Sequence, residues 1–266
     1  MTTKEFSDEF DVLASSYLRE GGFTLSDSSL FAFNEYEKSL FLTQAQEQYV
    51  LAMYNGKNPA GDSFERTEEM RRYLHNLVGE YTTNVPLDKE TYKDYLNNEY
   101  KGMSGQFVST LFLLPEDLWF ITYESVQTVA DSSKASCDGG LSIIQDVVPV
   151  TQDEFHRIKR NPFRGPTYHR ALRLDLSDQS FTPINNGVVE IIRKYPIGLY
   201  YVRYIRKLKP IILVNLPDDL KIEGKNTKHQ CVLHEAVHRD ILRMAVRLAL
   251  SSRPIGTDSR ENKDND

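Results

Sequence analysis

Two histidines and a glutamate in the C-terminal part of the chain have the types and spacing that zinc chemistry requires. His234, Glu235 and His238 follow the HExxH pattern. On a helix, this pattern brings both imidazoles to one face, where they can bind one Zn²⁺. The glutamate then activates a water molecule on the metal. A zinc-dependent metallopeptidase is therefore one interpretation of the sequence.

Three features of the surrounding sequence argue against a zinc site. Both histidines stand at the start of a predicted helix, His234–Ser251, whereas a metal-binding helix runs through a protein core. The positions after the second histidine are Arg239 and Asp240, where such a helix is apolar. Downstream, a third ligand is offered only by Glu261 and by aspartates of the charged tail 253–266, and an upstream ligand stays open. We therefore predict no catalytic residue, no metal ligand and no cofactor.

A second group of candidate residues combines positive charge with aromatic rings. From Ile191 to Pro217 there are six basic residues and no acidic one. The tyrosines interleaved with them are Tyr195, Tyr200, Tyr201 and Tyr204. Such a pattern binds single-stranded nucleic acid by stacking, or it packs its rings in a subunit contact. A small nucleic-acid-binding protein is the second alternative, although subunit packing agrees better with the acidic remainder of the chain.

The predicted final helix carries a stripe of arginines, Arg239, Arg243 and Arg247. The opposite side of the helix carries Ile241, Ala245, Leu248 and Ala249. The 3.6-residue period predicts that the apolar side docks and that the arginines face solvent, an acidic partner or DNA. A separate cluster of turn residues, Asn161–Pro166, predicts either a projecting loop or a simple connection between a short helix and the next strand.

Composition restricts the class of protein. The 266 residues carry 32 basic and 38 acidic side chains, and this net charge of −6 excludes a strongly basic, general nucleic-acid binder. Cys137 and Cys231 lie far apart, and the first residues do not resemble a secretory leader, which predicts free thiols in a reducing compartment. No run approaches the roughly 18 apolar residues of a membrane span, so we expect no membrane partner.

Hydrophobic periodicity predicts helices in the N-terminal part and strands after it. The helical patterns run through Phe6 to Tyr17, through Glu35–Tyr54, and through Met70 to Val78 after a capping box at Asp62–Glu65, with another short helix at 89–97. Strand patterns at Gln106–Leu114 and Leu118–Val129 flank Pro115–Asp117, and we expect these two strands to pair as a hairpin. Further strands are predicted at 141–150, 168–176, 188–193, 199–206 and 210–215, and a short helix at 151–160.

These elements predict an α+β fold. It consists of an N-terminal helical bundle, a central, mostly antiparallel β region, and a C-terminal helix with a charged tail. The corresponding domain boundaries are 1–100, 101–222 and 223–266, and we expect the helical ends to pack together.

Four blocks of the sequence are recognisable as parts of one family. They are Asp8–Leu13, Asn34–Tyr49, Tyr195–Leu213 and the helix Arg239–Leu250. Together they resemble virion structural proteins of crAss-like phages, which infect gut Bacteroidales. Members of this family are ring or adaptor proteins of the head-to-tail connector.

The resemblance implies a structural role without catalysis. The chain would form a ring of about twelve copies around the DNA channel below the portal. Its partners would be other copies of itself, the portal or neighbouring ring and tail proteins, and packaged DNA through non-specific contact. It would assemble in the host cytoplasm and reside in the virion. The matching blocks are structural, so the resemblance implies no catalytic residue in this chain.

Overall fold

A computed structural model of the chain describes residues 1–20, 32–57, 66–87, 107–128, 143–158, 161, 163–176, 187–194 and 196–252. The contacts divide it into two compact units. The helical unit combines Met1–Leu77 with Leu208–Asp266, and the sheet unit is Val78–Lys207. The described part contains five α-helices and a seven-stranded sheet, which confirms the predicted α+β class.

The helices are α1 (Thr3–Glu20), α2 (Glu35–Tyr54), α3 (Glu68–Leu74), α4 (Gln152–Ile158) and α5 (His238–Ser252). In the helical unit, α5 packs against both α1 and α2. None of the described helices is long and apolar enough to cross a membrane.

The first helix buries every fourth residue. Phe6, Phe10, Ala14 and Leu18 are all buried, because residues four apart lie on one side of a helix. Two of the positions that the sequence assigned to this side, Leu13 and Tyr17, are half-buried. The buried stripe is thus rotated slightly from the predicted one.

The second helix has the predicted bounds. Asn34 and Glu37 form a capping box, in which each side chain accepts a hydrogen bond from the other residue's backbone N–H. The helix ends at Asn55, and Gly56 follows with a φ of 70°, a conformation that glycine adopts without strain. The capping box thus fixes the first turn of α2, and Asn55-Gly56 ends the helix as predicted.

A buried lysine joins the first two helices. Lys38 of α2 is 3% exposed, and its ammonium group donates to Asp11 at 2.6 Å and to Ser7 at 3.1 Å on α1. Burial by itself lowers the pKa of Lys38, but hydrogen bonds to Asp11 and Glu35 outweigh it, and the net shift is upward. The lysine is therefore held charged between the two helices.

The third helix ends earlier than predicted. Its N-cap is Thr67, whose hydroxyl accepts from Met70 N–H at 3.3 Å. The predicted capping box Asp62–Glu65 and the predicted helix 89–97 lie outside the described residues. A 3₁₀ turn, His75–Leu77, closes the helix, and Val78 begins a strand. The prediction that Val78 belongs to a helix is wrong, because the apolar spacing around it fits a helix and a strand equally well over so few residues.

The strands are β1 (Val78–Thr83), β2 (Val108–Leu113), β3 (Leu118–Thr128), β4 (Ile144–Pro149), β5 (Arg170–Leu176), β6 (Val188–Arg193) and β7 (Ile197–Arg206). Their order in the sheet is β1-β7-β3-β4-β5-β6-β2. β4 and β5 are parallel, and every other neighbouring pair is antiparallel. This confirms a mostly antiparallel β region.

The predicted hairpin of β2 and β3 is wrong, although both strands exist. The chain does turn between them, since Leu118 N–H donates to Pro115 O at 3.2 Å. However, β2 pairs with β6 at one edge of the sheet, while β3 lies between β7 and β4. Turn residues show that the chain reverses, but they do not determine which distant strand lies alongside.

The sheet curls around one core. Its inner face forms a cluster to which all seven strands contribute, from Tyr81 of β1 and Phe112 of β2 to Tyr200 of β7. Leu87, just after β1, donates its N–H to Leu111 O of β2 at 2.8 Å and links the two ends of the strand order. On the outer face, α4 packs through Phe155 and Ile158 against β5 and β6.

The segment predicted as a strand at Pro210–Asn215 is not a strand. Residues 210–213 are buried beside α2, Val214 and Asn215 are exposed, and the segment makes a single bridge, between Ile212 and His229. Ile211 N–H donates to the Thr43 hydroxyl and Leu213 N–H to the Ser39 hydroxyl, both at 3.1 Å. Side chains of the helix thus accept the backbone hydrogen bonds that a neighbouring strand would accept in a sheet. The apolar content of the segment could not distinguish these two arrangements.

Candidate functional site

The HExxH residues do not lie together on an α-helix. Residues Glu235–Val237 form a 3₁₀ turn, and α5 begins only at His238. His234 is the N-cap of that turn, and its Nδ1 accepts from Ala236 N–H at 3.2 Å. Its ring is exposed and lies 6.2 Å from the ring of Tyr73. Glu235 is also exposed.

His238 points into the helical unit instead. It is 4% exposed, and its ring lies 5.3 Å from that of Phe6. Its Nε2–H donates to Leu233 O at 3.0 Å, and its Nδ1 accepts from the Met1 amino group at 2.8 Å. Burial lowers the pKa of His238 and favours the neutral ring. Both ring nitrogens are therefore engaged within the protein.

The structure consequently does not bring the two histidines to a common point. His234 caps a turn at the surface, and His238 packs in the interior. Among the described residues, no group of three or more His, Cys, Asp or Glu side chains is placed to hold a metal ion. Glu261 and the charged tail lie outside the described residues.

The arginine stripe of α5 is exposed as the sequence predicted. Arg239, Arg243 and Arg247 all face outward, and Arg243 lies 3.6 Å from Asp240. The buried side of the helix consists of His238, Ile241, Leu242, Ala245, Val246 and Ala249. Leu248, which the sequence placed on the docking side, is half-buried. The helix thus presents a cationic face at the surface of the helical unit.

Two of the three described tyrosines in the basic segment 191–217 are buried and are not available for stacking with bases. Tyr200 is fully buried and donates to Glu124, and Tyr204 is 5% exposed and donates to Asp117 at 2.9 Å. Tyr201 is half-buried, and Tyr195 lies outside the described residues. Tyr200 and Tyr204 thus pack inside the sheet unit itself, and the predicted subunit contact of this segment stays a prediction.

A buried ionic cluster inside the sheet unit was not anticipated. Glu124 of β3 is 4% exposed and accepts from both Arg173 of β5 and the Tyr200 hydroxyl of β7. Burial raises the pKa of Glu124, and Arg173 and Tyr200 partly offset that effect. Asp175, whose side chain is largely exposed, also lies 3.0 Å from Arg173. The sequence carries no clear signal for Glu124, because β3 also contains the polar residues Thr122, Ser125 and Gln127.

A second polar cluster involves the fully buried Arg193. Its guanidinium donates to Gln145 Oε1 at 3.0 Å and to the Pro196 carbonyl. Gln145, also fully buried, donates to Thr167 O at 3.2 Å. Burial lowers the pKa of Arg193 to about 10. Both clusters connect strands within the sheet unit, and we therefore interpret them as stabilising the fold.

The loop at Asn161–Pro166 presents an exposed aromatic ring. Phe163 is 84% exposed, whereas Gly165 and Pro166 beneath it are buried. The Asn161 side chain accepts from Phe163 N–H at 2.9 Å, and the Asn161 carbonyl accepts from Gly165 N–H at 2.8 Å. Arg170 donates to the carbonyl oxygens of Phe163 and Arg164 at 3.1 and 3.3 Å. The Phe163 ring therefore extends into solvent from a backbone that hydrogen bonds hold in place.

Comparison with known proteins agrees with the conclusion that the buried polar clusters have a structural role. The family described as phage tail ring protein 3/4 matches residues 1–261. Ring protein 3 of Bacteroides phage crAss001 is 44% identical over 262 residues, which cover 98% of this chain and all of that protein. Ring protein 4/5 of the same phage is 29% identical over 256 residues, or 94% of this chain and 92% of that protein. The resemblance found in the sequence is thereby confirmed, and the chain belongs to the phage tail ring protein 3/4 family of crAss-like phages.

Proposed function

We propose that this protein is a structural subunit of a ring in the head-to-tail connector of the virion, below the portal and around the DNA channel. The observation that carries this proposal is the family match over residues 1–261, together with 44% identity to a protein named Ring protein 3. The ring consists of about twelve copies with cyclic symmetry. Its two faces contact the portal or the neighbouring ring and tail proteins.

Electron microscopy of the purified virion tests this proposal. The expected result is a closed ring in the connector whose density fits the described helical and sheet units, with the same chain repeated around the axis. Native mass spectrometry of the purified protein should show the same closed oligomer, alone or with a neighbouring ring protein. Finding the chain outside the connector, or only as a monomer in the virion, contradicts the proposal.

We further propose that the HExxH segment has no catalytic role. His238 supports this, because both of its ring nitrogens form hydrogen bonds inside the helical unit. A zinc ion bound by His238 would have to displace one of those bonds and draw a buried ring to the surface. His234 already accepts a backbone N–H at the 3₁₀ turn.

Metal analysis and one substitution test that statement. Glu235→Gln removes the candidate general base while preserving the size of an exposed side chain. We expect the substituted protein to assemble as the wild type does and phage infectivity to be unchanged. The purified protein should contain no stoichiometric zinc. One tightly bound zinc per chain, with a peptidase activity that Glu235→Gln abolishes, would overturn this part of the proposal.

Contact with packaged DNA is assigned to the exposed arginines of α5. Arg239, Arg243 and Arg247 present three cations along one helix face, and phosphate contacts of this kind weaken steeply with salt. We expect weak, sequence-independent duplex binding that disappears when all three are replaced by alanine. Unchanged binding in the triple variant would show that DNA contacts other residues, and no duplex binding by the wild type would remove DNA from the proposed partners.

A further inference from the structure

The strongest unassigned feature is a projecting aromatic side chain on a fixed loop. Phe163 exposes 84% of its surface, more than the other exposed large hydrophobic residues described. Four hydrogen bonds within the loop and to Arg170 hold the backbone around it. A solvent-exposed ring on a preorganised backbone loses little conformational freedom when a partner covers it. This is a favourable arrangement for binding.

Further apolar residues lie on the same face of the sheet. Ile144 and Val148 of β4 are 66% and 39% exposed, and they alternate with Asp146 on the outer side. Tyr123 of β3 is 43% exposed and donates its hydroxyl to Asp146 at 3.1 Å. Asp146 lies directly opposite Arg170, the residue whose guanidinium binds the loop of Phe163. We call Tyr123, Ile144, Val148 and Phe163 the outer-face patch.

The outer-face patch adjoins a positively charged stretch of an otherwise acidic chain. Between His156 and Leu174 there are six arginines and lysines and no acidic residue, which leaves 26 basic against 38 acidic side chains elsewhere. Of these cations, Arg157 and Arg164 are exposed and Arg170 is half-buried, whereas Arg173 is buried against Glu124. The surface that covers the outer-face patch should therefore be acidic around an apolar centre. The remainder of this same chain has the required excess of negative charge.

We propose that the outer-face patch binds an adjacent copy of this chain, with Phe163 as the central residue of the contact. The inference rests on the proposed ring, and it names the surface through which the ring closes. In a cyclic assembly each subunit uses two different surfaces, one on each side. The outer-face patch is one of them, and an acidic surface of the neighbouring copy is the other. Large aromatic residues at the centre of an interface carry much of its binding energy.

Substitution at Phe163 tests the contact by assembly. Phe163→Ser removes the exposed ring, and Arg164→Glu reverses the charge beside it. Val85→Ser is the matched control, because Val85 is 71% exposed in the same unit but lies outside the patch. We expect both loop variants to lower ring yield in native mass spectrometry by about tenfold or more, with the melting temperature unchanged. Ring yield equal to that of Val85→Ser overturns the inference.

Crosslinking inside virions locates the partner. A photoreactive phenylalanine analogue at position 163 should give a covalent dimer of this chain, whereas the same analogue at position 85 should not. Crosslinks from position 163 only to a different protein or to DNA overturn the inference. If microscopy shows rings but the analogue at position 163 gives no crosslinked dimer, this surface is rejected as the contact and the proposed ring is retained. Absence of both the ring and the dimer rejects the proposed function as well.

Discussion

Glu124 illustrates how single residues determine the interior of the sheet unit. It comes from β3, yet its carboxylate accepts from Arg173 of β5 and Tyr200 of β7. Three strands are thereby joined by one carboxylate inside an apolar cluster. A buried charge of this kind is tolerated only while its partners remain, because desolvation is expensive.

The first prediction concerns the partner of that carboxylate. Arg173→Ala should destabilise the protein by about 3–5 kcal/mol, because Glu124 would remain buried without its cation. The matched control is Arg206→Ala, which removes an ion pair with Asp117 that is about half exposed and should cost less than about 1 kcal/mol. Urea unfolding of the two variants measures the difference. Equal losses would show that Glu124 is stabilised mainly by Tyr200.

The second prediction concerns pH and His238. Burial holds the pKa of this imidazole below its ordinary value, so the unfolded chain takes up the proton first as pH falls. The resulting stability is present above the ordinary pKa of about 6.5 and is lost as pH falls below it. The melting temperature of the wild type should therefore drop more between pH 7.5 and 5.5 than that of His238→Gln. Parallel pH profiles for the two proteins would contradict the assignment.

At the scale of elements, the segment around Ile211 shows how a helix can replace a strand. The N–H groups of Ile211 and Leu213 bind the Thr43 and Ser39 hydroxyls of α2, and only Ile212 between them pairs with backbone, at His229. Ser39→Ala and Thr43→Val each leave a buried N–H unpaired and should each cost about 1–3 kcal/mol. The control, Ser251→Ala, removes an exposed hydroxyl bonded to Leu248 O. Chemical denaturation of the three variants gives the comparison, and a neutral Ser39→Ala would argue against the pairing.

The two sides of α5 should respond oppositely to substitution. Leu242 is fully buried, so Leu242→Asp places a carboxylate without a partner in the core and should prevent stable folding. Arg243 is exposed, and Arg243→Ala should keep the wild-type melting temperature and weaken only association with a neighbour or DNA. Thermal melting and assembly yield are measured together. A tolerated Leu242→Asp with an unfolded Arg243→Ala would reverse the assigned faces.

Local sequence patterns predicted the bounds of some elements but not the pairing of distant strands. The bounds of α2 were predicted from an uninterrupted helical pattern that stops at Asn55-Gly56, and β6 was predicted at its observed bounds. The partner of β2 was not predictable, because it lies far along the chain at β6. The HExxH spacing predicted a shared face only if the whole stretch is α-helical, and the 3₁₀ turn at Glu235–Val237 removes that condition. The cluster around Glu124 was not predictable, because the sequence does not show which side chains of the strands point inward.

At the scale of the whole molecule, the sheet unit is inserted between two parts of the helical unit. The chain enters it at Val78 and leaves after β7, and Val78 lies opposite Ile205 in an antiparallel pair. The ends of the insert are therefore adjacent, and its core draws on all seven of its own strands. We propose these two units as the folding domains of the chain.

That arrangement predicts that a fragment of residues 78–207 folds by itself. It should show a β-rich circular dichroism spectrum and a cooperative urea transition. A matched fragment ending at residue 196 lacks β7, which lies between β1 and β3, and should remain unfolded. A fragment 78–207 without any cooperative transition would show that the sheet unit depends on the helical unit.

The divided helical unit also sets an order of events during synthesis on the ribosome. α1 and α2 emerge first, but they pack against α5, which emerges only after every strand of the sheet has been made. A nascent chain can therefore complete its sheet while its first helices still lack a partner. A chain that terminates before His238 would display the apolar sides of α1 and α2 to chaperones and proteases. Subunits cut short by translation errors would then be removed before they could be built into a virion.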